Sequence, residues 1–85
     1  MNREDVYFLI DEEREYQDTL GPERVDGHQH SVAEELLLLQ AYVQDAANAW
    51  VGMPGDSFVL DEMPKIAAIA VRCLENYGSF KNRRG

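Results

Sequence analysis

The sequence predicts an all-α fold: a three-helix protomer whose four-helix-bundle core is completed by homodimerisation. Three stretches with helical three- and four-residue periodicity occupy most of the 85 residues, and segments rich in Gly and Pro separate them. Two of these stretches are apolar on nearly every side, and so short a chain cannot cover both. A second copy is the simplest cover, because a closed two-fold arrangement buries both surfaces at once.

The first predicted helix covers about residues 3–19. Val6, Leu9 and Ile10 begin an apolar stripe with helical spacing, and acidic residues fill most of the other positions. Glu13 falls on the apolar stripe. Residues 21–29 have no periodicity and contain both Gly-Pro and Asp-Gly, so we expect a loop there.

The second predicted helix covers about residues 31–51. Ser31 and Glu34 form the S-x-x-E pattern of a capping box directly before an apolar run, which is a strong signal for a helix start. The apolar residues between Leu36 and Trp50 point in almost every direction around the axis. We therefore expect this helix to be buried on all sides.

The third predicted helix covers about residues 61–77. Asp61 is its expected N-cap, Pro64 is placed in the first turn, and Gly78 supplies the stop. Residues 66–71 are apolar and leave a narrow polar strip of Lys65, Arg72, Glu75 and Asn76. We expect Trp50, Met53 and Phe58 to close one end of the bundle, and residues 80–85 to form a basic tail.

The charge balance limits the partners of the protein. Sixteen acidic and eight basic residues give a formal net charge of −8, which repels nucleic acid phosphates, so no direct nucleic-acid binding is expected. An acidic protein can instead occupy the nucleic-acid groove of another protein. No apolar segment is long enough for a signal peptide or a membrane span, and Cys73 is the single cysteine, so we expect a cytoplasmic location and no membrane association.

Carboxylates are the candidate functional groups. Glu34 and Glu35 open the second helix and Glu62 opens the third, and oxygen ligands of this kind suit Mg²⁺. One turn after Glu34 and Glu35, however, the chain has leucines, and Lys65 follows Glu62. The ordinary alternatives are that Glu34 completes the capping box and that Glu62 pairs with Lys65.

His28 and His30 flank Gln29 just before the second helix. Two histidines alone do not make a zinc site, and neither has a plausible nucleophile beside it. We expect the pair to be exposed, with one histidine capping the helix or contacting Glu34.

Several motifs taken together resemble a known enzyme family. They are I-x-E-E-R-x-x-Q in the first helix, A-E-E-L at the start of the second, and D-E-x-x-K-I-A-A-I-A-V-R-C-L-E in the third. This layout resembles the MazG-like all-α nucleoside triphosphate pyrophosphohydrolases, and in particular the small members common in phage genomes. The resemblance covers about residues 9–77.

The resemblance implies a dimeric four-helix core and Mg²⁺-dependent hydrolysis of a nucleotide to its monophosphate and pyrophosphate. The metal motif of the family is E-E-x-x-E followed by E-x-x-D, and Glu34, Glu35 and Glu62 match three of its positions. Leu38 and Lys65 replace the other two carboxylates. Glu13 is a candidate to substitute for a missing ligand from another helix.

Three functions stay open. The first is a MazG-like helical dimer without hydrolase activity that acts as a binding or regulatory protein, directed at a host protein if the chain is phage-encoded. The second is a Mg²⁺-dependent pyrophosphohydrolase with a rearranged carboxylate set of Glu13, Glu34, Glu35 and Glu62. The third is an acidic nucleic-acid mimic that inhibits a host DNA-binding protein.

Overall fold

The computed structural model describes residues 1–20, 29–52 and 55–80. It contains three α-helices, α1 (Arg3–Leu20), α2 (Val32–Gly52) and α3 (Ser57–Tyr77), and no strand within the described residues. The prediction of an all-α fold is confirmed. The predicted loop at residues 21–28 and the basic tail at 81–85 lie outside the described residues.

Helix α3 lies between the other two helices and packs against both. Helices α2 and α3 are antiparallel: Glu35 near the start of α2 contacts Arg72 near the end of α3. At the opposite end of this pair, Trp50 Nε1 donates a hydrogen bond to Asp56 Oδ1 at 3.3 Å. On the other side of α3, Arg14 of α1 contacts Glu75.

The capping box at the start of α2 is confirmed. The backbone N–H of Glu34 donates to Ser31 Oγ at 3.2 Å, and the backbone N–H of Ser31 donates to Glu34 Oε1 at 3.0 Å. Two backbone donors that a helix start leaves unpaired are thereby satisfied, which fixes where α2 begins.

Helix α3 begins at Ser57, so the prediction that Asp61 caps it is wrong. The residue before the helix is Asp56, whose side chain makes no cap hydrogen bond, and the N–H of Leu60 already donates to the Asp56 carbonyl at 2.9 Å. Pro64 is therefore inside the helix rather than in its first turn. A proline at this position cannot donate its backbone hydrogen bond. The helix nevertheless continues through Pro64 to Tyr77.

The predicted end of α3 is confirmed. Its last residue is Tyr77, and the backbone N–H of Gly78 donates to the Leu74 carbonyl at 2.8 Å. A Cβ atom at position 78 would lie 2.7 Å from that carbonyl oxygen, which is closer than a side chain tolerates. Glycine at this position therefore lets the chain turn tightly against the last turn of the helix.

The core of a single chain is small. Among the described residues, the buried apolar side chains are Ala46, Ala68 and Ile69, and α1 has no buried residue. The predicted burial of α2 on all sides is not met within one chain, because Leu36 remains 64% exposed and Val43 52% exposed. Large apolar surfaces of α2 and α3 thus remain in solvent.

The end of the α2–α3 pair is also open. Trp50 and Phe58 are each about half exposed, so they do not close the bundle within one chain, and Met53 lies outside the described residues. Among the described helices, none is long and apolar enough to cross a membrane.

Candidate functional site

Glu35 is the centre of a buried polar cluster between α2 and α3. Only 1% of its surface is exposed, although it is charged and lies in the first turn of α2. Arg72 of α3 donates to both carboxylate oxygens, from Nε to Oε2 at 2.6 Å and from Nη2 to Oε1 at 2.7 Å. This two-bond geometry is the strongest way in which a guanidinium binds a carboxylate.

His30 completes the cluster from the segment that precedes α2. Its Nδ1 atom lies 2.9 Å from Glu35 Oε1, and its side chain is 15% exposed. The expectation that both histidines are exposed is therefore wrong for His30, whose imidazole lies against Glu35. The expectation that one histidine caps the helix or contacts Glu34 stays a prediction. His28 lies outside the described residues.

Tyr77 anchors the same end of the molecule. Its hydroxyl donates to the His30 carbonyl at 2.5 Å and accepts a hydrogen bond from Gln29 Nε2 at 3.4 Å. The last residue of α3 is thereby tied to the segment that leads into α2. Together these contacts hold His30 beside Glu35.

The surroundings of Glu35 change its acidity. Burial alone raises the pKa of this carboxyl, but the hydrogen bonds to Arg72 and His30 and the positive charge of Arg72 outweigh the burial. The net effect is a pKa below the ordinary value of 4.5. Glu35 is consequently a carboxylate at neutral pH.

The other candidate carboxylates, Glu34, Glu62 and Glu13, have contacts of their own outside the Glu35 cluster. Glu34 is part of the capping box, and Glu62 accepts a hydrogen bond from Lys65 Nζ at 3.2 Å, as expected for that pair. The hydrogen bond and the charge of Glu62 raise the pKa of Lys65, and Glu13 of α1 adds a smaller electrostatic contribution in the same direction. Glu13 is half-buried and faces the same region as Lys65.

This arrangement of donors does not fit a magnesium ion. Mg²⁺ needs carboxylate oxygens that are free to coordinate it, but both oxygens of Glu35 are bound to Arg72, and Lys65 places a positive charge beside Glu62. Within the described ranges, no group of three or more His, Cys, Asp or Glu side chains is placed to hold a metal ion.

A second ion pair joins α1 to α3. Arg14 Nε donates to Glu75 Oε2 at 2.6 Å, and Arg14 Nη2 donates to Asp18 Oδ1 at 2.9 Å. The hydrogen bond to Glu75 is the main reason that the pKa of Arg14 is raised, and in return it lowers the pKa of Glu75. Because Asp18 and Glu75 are largely exposed, this pair attaches α1 to α3 only weakly.

Arg72 and His30 were not identified as site residues from the sequence. Arg72 is 37 positions from Glu35, and its place in a polar strip predicted only solvent exposure. The charges of the sequence contain a usable signal: a glutamate that is buried in the first turn of a mostly apolar helix needs a basic partner, and Arg72 lies at the border of the apolar part of α3.

A comparison of the chain with protein-family models, with curated proteins and with solved structures finds no match. The MazG-like resemblance therefore rests on the motifs of the sequence and stays a prediction.

Proposed function

We propose that this chain is a MazG-like helical homodimer without pyrophosphohydrolase activity, and that it acts by binding another protein. The observation that carries this proposal is the pairing of Glu35 with Arg72. Glu35, one of the three glutamates that match the family's metal motif, is held by a guanidinium at both oxygens and is almost completely buried.

Metal binding at Glu35 would require the pair to separate. The carboxylate would have to release Arg72, which would leave the guanidinium partly buried without its partner, and removing one member of a buried pair is strongly unfavourable. The approaching cation would also meet the positive charge of Arg72 in a poorly solvated region. Both effects favour a structural role for Glu35.

The exposed apolar surface supports the dimeric part of the proposal. Leu36 and Val43 on α2, together with Leu60 and Leu74 on α3, are each more than half exposed. Contiguous apolar surface on so small a protein is typical of an interaction site.

An assay of pyrophosphate release from the common nucleoside triphosphates, with Mg²⁺ or Mn²⁺, tests the absence of hydrolysis. We expect the wild-type protein to release no more pyrophosphate than the Glu35→Gln variant. Glu75→Gln serves as the matched control, because it removes a carboxylate from the exposed ion pair between α1 and α3, away from Glu35. Metal-dependent release that is lost in Glu35→Gln and retained in Glu75→Gln would contradict the proposal and favour the rearranged enzyme.

A second candidate function is supported by the outer surface of α1. This helix holds seven acidic and two basic residues, and most of the acidic side chains are exposed. An acidic nucleic-acid mimic needs a continuous negative surface, and α1 offers one outside its contact with α3.

Binding to a basic DNA-binding protein at several salt concentrations tests the mimic. We expect salt-sensitive binding that weakens when Asp11, Glu12 and Glu15 are replaced by their amides. Equal binding by the wild-type chain and the triple variant would eliminate α1 as the contact surface.

A further inference from the structure

A heptad-like row of apolar residues lies on the more exposed side of α3. We name it the α3 seam; its residues follow one another at spacings of three and four and are Leu60, Met63, Ala67, Ala70, Leu74 and Tyr77. The four large members are 44–67% exposed, and the two alanines are half-buried. Spacing of this kind is typical of a helix that packs along its length against another helix.

The direction of the α3 seam follows from the ion pairs. Arg72 points to α2 and Glu75 points to α1, so two sectors around α3 are occupied. The seam residues fall in the third sector, since successive residues are rotated by about 100° around a helix. The α3 seam is thus a largely exposed third side of the central helix, and at one end of it the Tyr77 hydroxyl is bound to the His30 carbonyl.

A second apolar row lies on α2. Val32, Leu36, Val43, Ala47 and Trp50 are all exposed and share one side of α2. This row is rotated by about 60–120° around the axis of α2 from Glu35, the residue that contacts α3.

The order of side chains along the α3 seam is symmetric about its centre. The midpoint of the seam lies between Ala67 and Ala70. Met63 and Leu74 are equally far from this midpoint on its two sides, and so are Leu60 and Tyr77. If the same helix from a second copy is laid antiparallel on the seam, Ala67 faces Ala70, Met63 faces Leu74 and Leu60 faces Tyr77. Small residues meet at the crossing point and large residues fill the flanks, which permits close contact.

The chain exposes more surface than a compact monomer of its mass. Its total accessible area is 6833 Å², whereas a compact monomer of 9.7 kDa would expose about 5,100 Å². The exposed large side chains of the α3 seam contribute to this excess, and a standard stable interface takes roughly 800 Å² from each partner.

We infer that two copies pair through the α3 seam, with their α3 helices antiparallel about a two-fold axis that passes between Ala67 and Ala70. This inference rests on the proposed dimer and specifies its contact surface. In this arrangement the side of α3 that carries Arg72 and Glu75 faces away from the two-fold axis.

Single-cysteine variants in a Cys73→Ser background test the pairing. Met63→Cys alone and Leu74→Cys alone should give little cross-linked dimer under mild oxidation, because in an antiparallel pair each residue lies about 16 Å along the axis from its own copy. An equimolar mixture of the two should give a covalent heterodimer. A parallel pair would instead cross-link each variant with itself, and no cross-linking in any sample would exclude the seam.

Two charged variants, Met63→Lys and Leu74→Glu, provide a second test. Both residues are exposed in the single chain, so the substitutions leave its buried core unchanged. Each variant alone should weaken dimerisation at least tenfold in sedimentation experiments, and a mixture of the two should form a heterodimer through the new ion pair. Phe8→Lys, on the outer helix, is the control and should leave dimerisation unchanged.

The outcomes separate this inference from the proposed function. A wild-type dimer that survives both charged variants would overturn the α3 seam while leaving the proposed dimer intact. A wild-type monomer at micromolar concentration would overturn both. Pyrophosphate release by an antiparallel dimer would overturn only the proposed lack of activity.

Discussion

At the residue scale, the Glu35–Arg72 pair determines how α2 and α3 fit together. A buried ion pair contributes little net stability compared with an apolar pair of similar shape, because both charges lose their hydration. Its value is in specificity: only one register of α3 against α2 places a guanidinium opposite Glu35. Any other register would leave a carboxylate buried without a partner.

Replacing Arg72 alone should therefore strongly destabilise the folded protein. We expect Arg72→Met to lower the free energy of unfolding by about 3–5 kcal/mol, because it leaves the Glu35 carboxylate buried and unpaired. The double variant Glu35→Leu/Arg72→Met should recover most of this loss. Urea denaturation followed by circular dichroism measures both. Glu75→Gln is the control for an exposed pair and should cost less than about 1 kcal/mol.

The lowered pKa of Glu35 makes stability depend on pH. Because the pKa is below 4.5 in the folded protein, the folded state favours the carboxylate more strongly than the unfolded chain does. The stabilisation is complete above about pH 4.5 and is lost as the pH falls through the folded-state pKa. We expect the urea midpoint of the wild-type protein to fall more steeply below pH 4.5 than that of Glu35→Gln. Parallel pH profiles for the two proteins would contradict this expectation.

The sequence identified the centre of this cluster but not its partners. Glu35 was selected by its motif and by its position after the cap, which are local features. Arg72 comes from a distant helix, and its pairing depends on a tertiary contact that no local pattern contains. His30 directly precedes the capping box, which the sequence predicts. The sequence does not predict that the His30 imidazole lies against Glu35, because the side-chain direction of a residue before a helix depends on tertiary contacts.

At the scale of the helix, α1 and α2 could be predicted to within about one residue because each has strong periodicity or a cap. The start of α3 was missed because Asp61 and Pro64 together imitate a helix N-terminus, with a cap-type residue followed by a proline in the first turn. The error had a consequence. With the helix starting at residue 61, Leu60 is outside it, and the symmetric α3 seam cannot be recognised.

Pro64 provides a test of the corrected start. Inside a helix, proline is about 3 kcal/mol less favourable than alanine, whereas in a first turn the difference is small. We expect Pro64→Ala to raise the free energy of unfolding by about 1 kcal/mol, since the lost contacts of the half-buried ring offset part of the gain. Pro64→Gly should give a smaller gain than Pro64→Ala, because it restores the N–H without the helix propensity. If Pro64→Ala left the free energy of unfolding unchanged, Pro64 would instead belong to the first turn, and the helix would start after Ser57.

At the scale of the whole molecule, the small core makes stability depend on assembly. The described residues bury two alanines and one isoleucine as their apolar core, which is little for a chain of 85 residues. A dimer that buries further apolar surface should couple folding to association. The all-α class was predictable from periodicity. The shortage of core within one chain was predictable from the chain length and from two helices that are apolar on most sides.

Coupled folding and association should make thermal stability depend on concentration. We expect the melting temperature to rise steadily as the protein concentration is increased from 1 to 100 µM, because mass action favours the folded dimer. Calorimetry across this range measures the shift. Met63→Lys should have a lower melting temperature that no longer depends on concentration.

The hydrogen bond between Tyr77 and His30 has a consequence for local opening, because it helps to hold α2 and α3 together more firmly than α1. This bond and the Glu35–Arg72 pair join α2 to α3 at one end, and the Trp50–Asp56 bond joins them at the other. Helix α1 has no buried residue, and its ion-pair partner Glu75 is exposed. Local opening requires less free energy where fewer contacts must break. Amide hydrogens of α1 should thus exchange with solvent deuterium well before those of α2 and α3, in a step that leaves the α2–α3 hairpin closed. Equal protection of all three helices would mean instead that the chain opens as one cooperative unit.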